Sequence, residues 1–552
     1  MTTLRDLLEE AVLAEPRNHV FSRWYETGSW QVRTYAETLE RIRILSEWFG
    51  RNGLSPRKTK VALLLPNAPE WLECYMAVVG LAGIVVPIDP KLTAPELRYI
   101  LDNAEAELLV TDAQHLPLIA TLLPTLPMLR RTMVVGRSAH MEKVPCDTLT
   151  EVLAQLPAEA SLRFWNDPAY CPASEDIAGI LYTSGTTGNP KGALLTHGNF
   201  VADALGALAL IPGVTAQDDF LVVLPLFHAF SFTANFVVAL CAHASLGFNR
   251  SLRTLAEDLR ELRPSVLMTV PLMAEKLHAR MMDRVRSSLI ARLTHALFPR
   301  LVGRRLLTSM GGKLQLILVG GAKCDLRILR DFNRMGLCMS EGYGLTECAP
   351  IVSVCPPAHI RIGTIGPAIK GVEVCLAEPN AQGVGELCVR GPIVFRGYYR
   401  NNEATQAVFD DDWLKTGDLA TIDADGYITI CGRMKALIVN REGKNIYPEE
   451  VEQAIGRDPA IGEVAVIAYQ NQGETGEKVG CIVSPNREWL SKIHLAADVA
   501  TIEALLRAAV KHQCLSLAAY KHPRKIVISH TPLTLTSTRK VRRCLYAGTL
   551  DE

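Results

Sequence analysis

Leu181-Tyr182-Thr183-Ser184-Gly185-Thr186-Thr187-Gly188-Asn189-Pro190-Lys191-Gly192 is a run of hydroxyls and glycines that closes on a lysine. Converging backbone N–H groups, hydroxyls and one ammonium are what polyphosphate oxygens need. The order is not that of the Walker loop, which requires Gly-Lys-Ser/Thr where this chain has Gly188-Asn189-Pro190-Lys191-Gly192. A Gly/Ser/Thr run is also the composition of a surface linker, so the neighbouring elements decide between the two.

Those elements alternate. Thr34-Tyr35-Ala36-Glu37 is a capping box, and the helix it opens puts Tyr35, Leu39, Ile42, Leu45 and Phe49 on one side before Gly50 and Gly53. A strand over 61–65, a helix from Pro69, a strand over 84–88, a helix from Pro95 capped by Thr93 and a strand over 108–111 follow. Such alternation predicts parallel βαβ units covered on both faces. It returns after the glycine-rich stretch with strands over 220–224, 266–270 and 314–319, a second α/β subdomain. Three loops then fall beyond carboxyl ends of strands, where open sheets collect ligands: the opening stretch, Pro225-Leu226-Phe227-His228, and Gly320-Gly321-Ala322. From about Gly363 short strands and glycines indicate a small β-rich subdomain. Beyond Gly432, possible strands at 427–431 and 436–440 flank Gly432-Arg433-Met434-Lys435, and Pro448 opens a helix in a compact α+β tail.

The 552 residues exceed one ordinary core, and Lys+Arg equals Asp+Glu at 58 each, which removes any bulk electrostatic case for nucleic acid. Fourteen cysteines without a C-x-x-C pair fit reduced thiols, no zinc site and a cytoplasmic protein. The N-terminus is acidic and amphipathic rather than a secretion signal. The longest apolar stretch, 74–88, is broken by Gly80, Gly83 and Pro87 and is shorter than the roughly 20 residues a membrane span requires.

Further motifs accompany the opening stretch in order: LPLFHAF at 224–230, GGA at 320–322, EGYGLTE at 341–347, GELCVRG at 385–391, WLKTGDLA at 413–420, GRMKALI at 432–438 and TSTRKVRR at 536–543. In these the chain resembles the adenylate-forming superfamily of AMP-dependent synthetases and ligases, and most closely its fatty acyl-CoA and acyl-carrier-protein synthetases. The resemblance implies a large domain over 1–432, with its phosphate loop at 182–192. This domain holds two parallel-sheet α/β subdomains and the β-rich one. A hinge at 433–435 and a mobile α+β lid over 436–552 complete the implied layout.

It also implies roles. Adenylation joins a carboxylate to the α-phosphorus of ATP, which calls for cations and preorganised donors rather than a nucleophilic side chain. Thr183, Ser184, Gly185, Thr186, Thr187, Gly188 and Lys191 would hold the β- and γ-phosphates. Gly320, Gly321 and Ala322 would face adenine opposite Tyr343, with Glu341, Gly342 and Gly344 in the same strand-turn. Thr346 would contact the α-phosphate. Glu347, with Thr186, would bind Mg²⁺, which favours one or two carboxylates plus phosphate and water. Asp418, suited by two acceptor oxygens to ribose hydroxyls, would work beside Arg433. Lys540 would supply the mobile cation, although Arg539 replaces the usual Gly before it and Arg542 and Arg543 compete for the role. Lys435 would be the pivot about which the lid turns between adenylation and thioester formation.

For substrate, amino-acid activators of the superfamily carry an Asp where this chain has His228, so a substrate ammonium would lack its partner. Phe230, Phe232, Phe236, Val237 and Val238 predict an apolar wall for a medium- or long-chain fatty acid. An aryl-acid–CoA ligase, a luciferase-like oxygenase and a non-catalytic nucleotide- or acyl-binding regulator are the alternatives. CoA and the phosphopantetheine of an acyl carrier protein both remain open as acceptor, as do monomer and homodimer. Arg284, Arg286, Arg292, Arg300, Arg304 and Arg305 lie among apolar residues, the pattern of a surface helix or of peripheral contact with the inner membrane face or an acidic carrier.

Overall fold

In a computed structural model the chain is described over residues 2–137, 140–155, 163–183, 189–286, 289–441, 444–470, 477–492, 498–535, 541, 543–546 and 548–550. The expected alternation folds into two sheets. The first orders Cys146–Thr148, Arg131–Val135, Leu108–Asp112, Lys60–Leu64, Ile84–Pro87, Ile177–Thr183 and Lys191–Thr196, parallel up to the final antiparallel hairpin. The second runs Ile351–Val354, Cys338–Gly344, Leu316–Val319, Val266–Thr269, Asp219–Val222, Ser245–Phe248, Val20–Glu26 and Ser29–Thr34, parallel in the middle and antiparallel at both ends. Its central strands are mostly apolar, as expected where helices cover both faces. Thr34 caps Tyr35–Arg51 in the expected box with Glu37, and Thr93 does the same for Ala94–Asn103 with Glu96.

One core cluster joins the sheets, running from Val61, Leu63 and Tyr75 through Phe200 to Phe220, Val222 and Leu246. The strands that flank the phosphate stretch, Ile177–Thr183 and Lys191–Thr196, belong to the first sheet. Gly179 pairs with Val85, and Ile180 is buried with Ala62 and Val86. The return strand starts at Lys191, too soon for a helical crossover, so the chain turns back as a hairpin. The phosphate stretch and the 225–228 and 320–322 loops therefore follow strands of different sheets.

The β-rich unit packs Glu373–Ala377, Gly385–Arg390, Trp413–Ile422, Phe409–Asp410 and Ile428–Arg433 into an antiparallel sheet. The strand expected over 436–440 shrinks to Ile438–Val439, because Met434–Ala436 forms a 3-10 turn. The tail then builds Ile461–Tyr469, Lys478–Pro485 and Lys525–Ile528 into a sheet beside helices Pro448–Ile455 and Val499–Cys514. Among the described residues no helix is long and apolar enough to cross a membrane.

Candidate active site

The phosphate hairpin pairs Thr183 with Lys191 and Tyr182 with Gly192; residues 184–188, which include Ser184, Gly185, Thr186, Thr187 and Gly188, lie outside the described residues. A segment absent from the sequence expectations docks on its return strand. The Arg396 N–H donates to Leu194 O at 3.0 Å and the Tyr399 N–H to Gly192 O at 2.7 Å. Between them the Tyr398 ring lies 5.2 Å from Lys191 Nζ, and its hydroxyl donates to Glu347 Oε1 at 2.7 Å. Tyr398 thereby ties the lysine of the phosphate hairpin to the carboxylate of EGYGLTE. Burial, then the Glu347 charge, drives its phenol pKa upward, so it stays a donor.

The turn holding Thr346 and Glu347 is fixed from beneath. The Leu345 N–H donates to Pro350 O at 3.0 Å, and a Cβ on Gly344 would lie 1.7 Å from that same oxygen, so only glycine fits. The Ala349–Pro350 peptide is cis. The Thr233 hydroxyl donates to Ala349 O at 2.5 Å, and fully buried Asp203 accepts from the Ile351 N–H at 3.1 Å.

On the opposite side, strand Leu316–Val319 delivers Gly320, Gly321 and Ala322 beside Tyr343. A Cβ on Gly320 would come within 2.8 Å of the Phe230 ring, and Gly321 has φ +79°. Glu341 is buried and accepts from the Cys324 N–H at 3.1 Å, so it holds the far end of this loop. Burial pushes its carboxyl up to about 7, against the opposing Cys324 hydrogen bond and Lys323. The Tyr343 hydroxyl donates to Asp418 Oδ2 at 2.5 Å, Arg433 Nε stands 2.7 Å from Asp418 Oδ1, and Asp418 itself is 4% exposed. Strand pairing sets Asp418 opposite Arg433. This arrangement presents two carboxylates, a small-residue slot and a lysine-bearing hairpin around one space, as an anionic nucleotide with a cation would require.

His228 is half-buried, its ring centroid 4.3 Å from that of Phe227, and desolvation lowers its pKa against a weaker pull from Asp89. Its loop is set by Asn67, which donates through Nδ2 to Leu224 O at 2.8 Å and accepts from the Leu226 N–H at 2.9 Å. The expected apolar wall is largely overturned. Phe232, Phe236, Val237 and Val238 are buried in the interior, Phe232 packing on Tyr75 at 4.4 Å and Phe200 at 5.0 Å, and only Phe230 reaches the Gly320 loop. The apolar run looked like a ligand surface because a π-helical turn, Phe232–Val237, and a core helix share that composition.

The sequence profile of AMP-binding enzymes matches residues 8–399, and that of the AMP-binding enzyme C-terminal domain matches residues 450–540. The chain belongs to this family. It is 31% identical to the long-chain-fatty-acid–CoA ligase FadD15 of Mycobacterium bovis, covering 94% of this chain and 91% of that one. It is 29% identical to a feruloyl-CoA synthase of Amycolatopsis sp, covering 81% and 83%. Among solved structures, ATP-bound MatB from Rhodopseudomonas palustris superposes with TM-score 0.76 at 26% identity, covering 99% of each chain. The anthranilate CoA ligase AuaEII with anthranoyl-AMP shares the fold, with TM-score 0.78 at 22% identity over 99% of this chain and 96% of its own.

In this AMP-binding enzyme the tail carries the rest of the expected set. Lys435 is exposed in the 3-10 turn directly after Arg433. Helix Pro448–Ile455 leans on the Gly-rich loop: Gln453 Nε2 donates to Cys324 O at 3.3 Å. Lys540, with Arg539 and Arg542, lies outside the described residues, but the base of its segment is closed by a bridge between Leu535 and Val541. Arg543, a competitor for the cation role, is committed elsewhere: its guanidinium donates to both Glu452 oxygens at 2.8 and 2.6 Å and to Glu449 Oε1 at 2.5 Å. Burial lowers its pKa, yet these carboxylates outweigh burial and raise it overall. Tyr398 and Asn67 were missed because a lone Tyr or a Pro-Asn turn carries no spacing signal. Their meaning comes from partners Glu347 and Leu224, distant in the sequence.

Proposed function

We propose that this AMP-binding enzyme is an AMP-forming acid:thiol ligase that activates a long-chain fatty acid with ATP and transfers the acyl group to CoA. The likeness to a long-chain-fatty-acid–CoA ligase over nearly the whole chain carries the reading, and the Lys191–Tyr398–Glu347 arrangement supports it. In the first half-reaction the acid carboxylate bonds to the α-phosphorus and the bond to pyrophosphate breaks. In the second, the thiol sulfur bonds to the acyl carbon and AMP leaves.

Thr183, residues 184–188 and Lys191 hold the leaving pyrophosphate. The Gly320–Gly321–Ala322 edge and Tyr343 receive the adenine, with Glu341, Gly342 and Gly344 shaping that slot, while Asp418 and Arg433 take the ribose. Thr346 contacts the α-phosphate, and Lys540 brings the cation for adenylation. His228, kept neutral by burial, stands beside the carboxylate and the thiol path. Glu347 fits Mg²⁺ because it is a hard carboxylate already oriented by a neutral phenol. With Thr186 it would hold the ion, which would supply positive charge beside the leaving pyrophosphate. Units 1–432 and 436–552 act as body and lid about 433–435, with Lys435 as the pivot.

A second reading, an aryl acid, is favoured by the likeness to a feruloyl-CoA synthase and by the burial of most of the expected acyl wall. Acid-dependent exchange of pyrophosphate into ATP, run across long-chain fatty acids, ferulic acid and amino acids and followed by CoA or carrier-protein thioester formation, tests the proposal. Exchange with long-chain acids and CoA thioester as product are expected. Preference for ferulic acid installs the second reading, and exchange with no acid despite ATP binding removes both.

A further inference from the structure

The chain balances its charges overall, but the 41 residues 284–324 contain eight Lys/Arg and no Asp or Glu. Within that stretch helices Leu289–Leu297 and Pro299–Ser309 meet at a corner. Leu293 is 62% exposed, Leu297 68%, Phe298 63% and Leu301 44%, and Arg292, Arg300, Arg304 and Arg305 are exposed around them. The corner is rigidly mounted. Gly303 lies so close to the neighbouring helix end that a Cβ there would sit 1.9 Å from Met335 O, Leu306 is buried, and Arg334 Nη2 donates to Ala296 O at 3.1 Å.

Four large apolar side chains raised at one corner and ringed by cations suit a surface with negative charge outside and hydrocarbon within. An acidic protein would have to offer a matching apolar pocket as well as negative charge, whereas an anionic bilayer offers both anywhere on its surface. We infer that the Leu293–Leu301 corner docks on an anionic lipid bilayer, with Leu297 and Phe298 entering the acyl boundary and Arg292, Arg300 and Arg304 lying at the headgroups. The inference does not depend on which acid is activated. Each arginine near such a surface changes partitioning roughly fivefold, and the attraction is screened within a Debye length.

Co-sedimentation of the full chain with phosphatidylglycerol-containing and with pure phosphatidylcholine vesicles tests it. Binding to the anionic vesicles that weakens with salt is expected. Replacing Arg292, Arg300 and Arg304 by Gln should cut it by on the order of a hundredfold, and the pair Leu297→Ser and Phe298→Ser should also weaken it about tenfold or more. Pyrophosphate exchange on a detergent-free, water-soluble acid should be unchanged in both variants, which shows that they fold. No vesicle binding by the unaltered chain, equal binding to neutral vesicles, binding indifferent to both sets of substitutions, or capture of an acidic carrier protein in place of vesicles would each overturn the inference.

Discussion

The two sides of the site are held by different means. On the body, Glu347 sits in a turn clamped by the Leu345–Pro350 hydrogen bond and buried Asp203, and it is oriented by the neutral phenol of Tyr398. On the tail, the segment that carries Lys540 starts and ends at a single strand bridge and is tied to helix Pro448–Ile455 through the ion pairs of Arg543 with Glu449 and Glu452. A turn clamped through its backbone holds its side chains in place independently of the tail. An element held by a few side chains of its own domain can travel with that domain as a unit, as the proposed role of Lys540 in only one half-reaction would require.

The comparison is broken most severely by Lys540→Ala. Loss of one charge-stabilising donor at the transition state should lower pyrophosphate exchange by on the order of 10²–10³-fold, while thioester formation from supplied acyl-adenylate stays within about twofold. Equal losses in both would detach Lys540 from adenylation.

Acid–base behaviour sharpens the body side. The Glu341 carboxyl is held up to about 7 by burial, against 4.5 ordinarily. Between those values the folded state keeps a proton that the unfolded state has released. Its contribution is therefore complete below pH 4.5 and lost as pH rises through 7, a difference of about 3 kcal/mol. Thermal stability measured by calorimetry should fall as pH rises from 4.5 through 7, as the buried carboxyl is forced to ionise, and Glu341→Gln should flatten the profile. An unchanged profile in Glu341→Gln would assign the effect to another group.

On the tail, Arg543→Ala leaves Glu449 and Glu452 facing each other without a cation, and should destabilise the tail by about 2–3 kcal/mol. Limited proteolysis should cut the tail and spare the body. Adding Glu452→Gln should recover part of the loss, because the uncompensated charge is removed; no recovery would mean that packing, not charge, is what Arg543 supplies. Lys435→Pro, which stiffens the turn between the units, should slow thioester formation about tenfold more than exchange. The idea of a pivot there is falsified if both half-reactions fall together. The smallest effect belongs to Tyr398→Phe, where Glu347 loses one hydrogen bond of about 1–2 kcal/mol; the Mg²⁺ concentration for half-maximal exchange should rise several-fold with little change in melting temperature.

Much of the body was legible from local chemistry. The capping boxes at Thr34 and Thr93 and the apolar strands at 61–65, 84–88 and 108–111 form within a residue or two of expectation, since each depends on neighbours in the chain. Where a residue's meaning depends on remote partners, expectation failed. Phe232, Phe236, Val237 and Val238 read as a ligand wall and proved to be core. Which sheet the phosphate hairpin joins was not legible either, because alternation shows that strands pair but not with which.

By itself the sequence determined the family, the order of the motifs and the residue types able to hold phosphate, ribose and a hard cation, because each rests on chemistry within a few adjacent residues. Only the tertiary structure decided that Tyr398 couples Lys191 to Glu347, that Asn67 sets the His228 loop, that Arg543 is spent on Glu449 and Glu452, and that the apolar corner at 293–301 stands exposed. Those relations join residues brought together by packing, and the distances along the chain carry no trace of them.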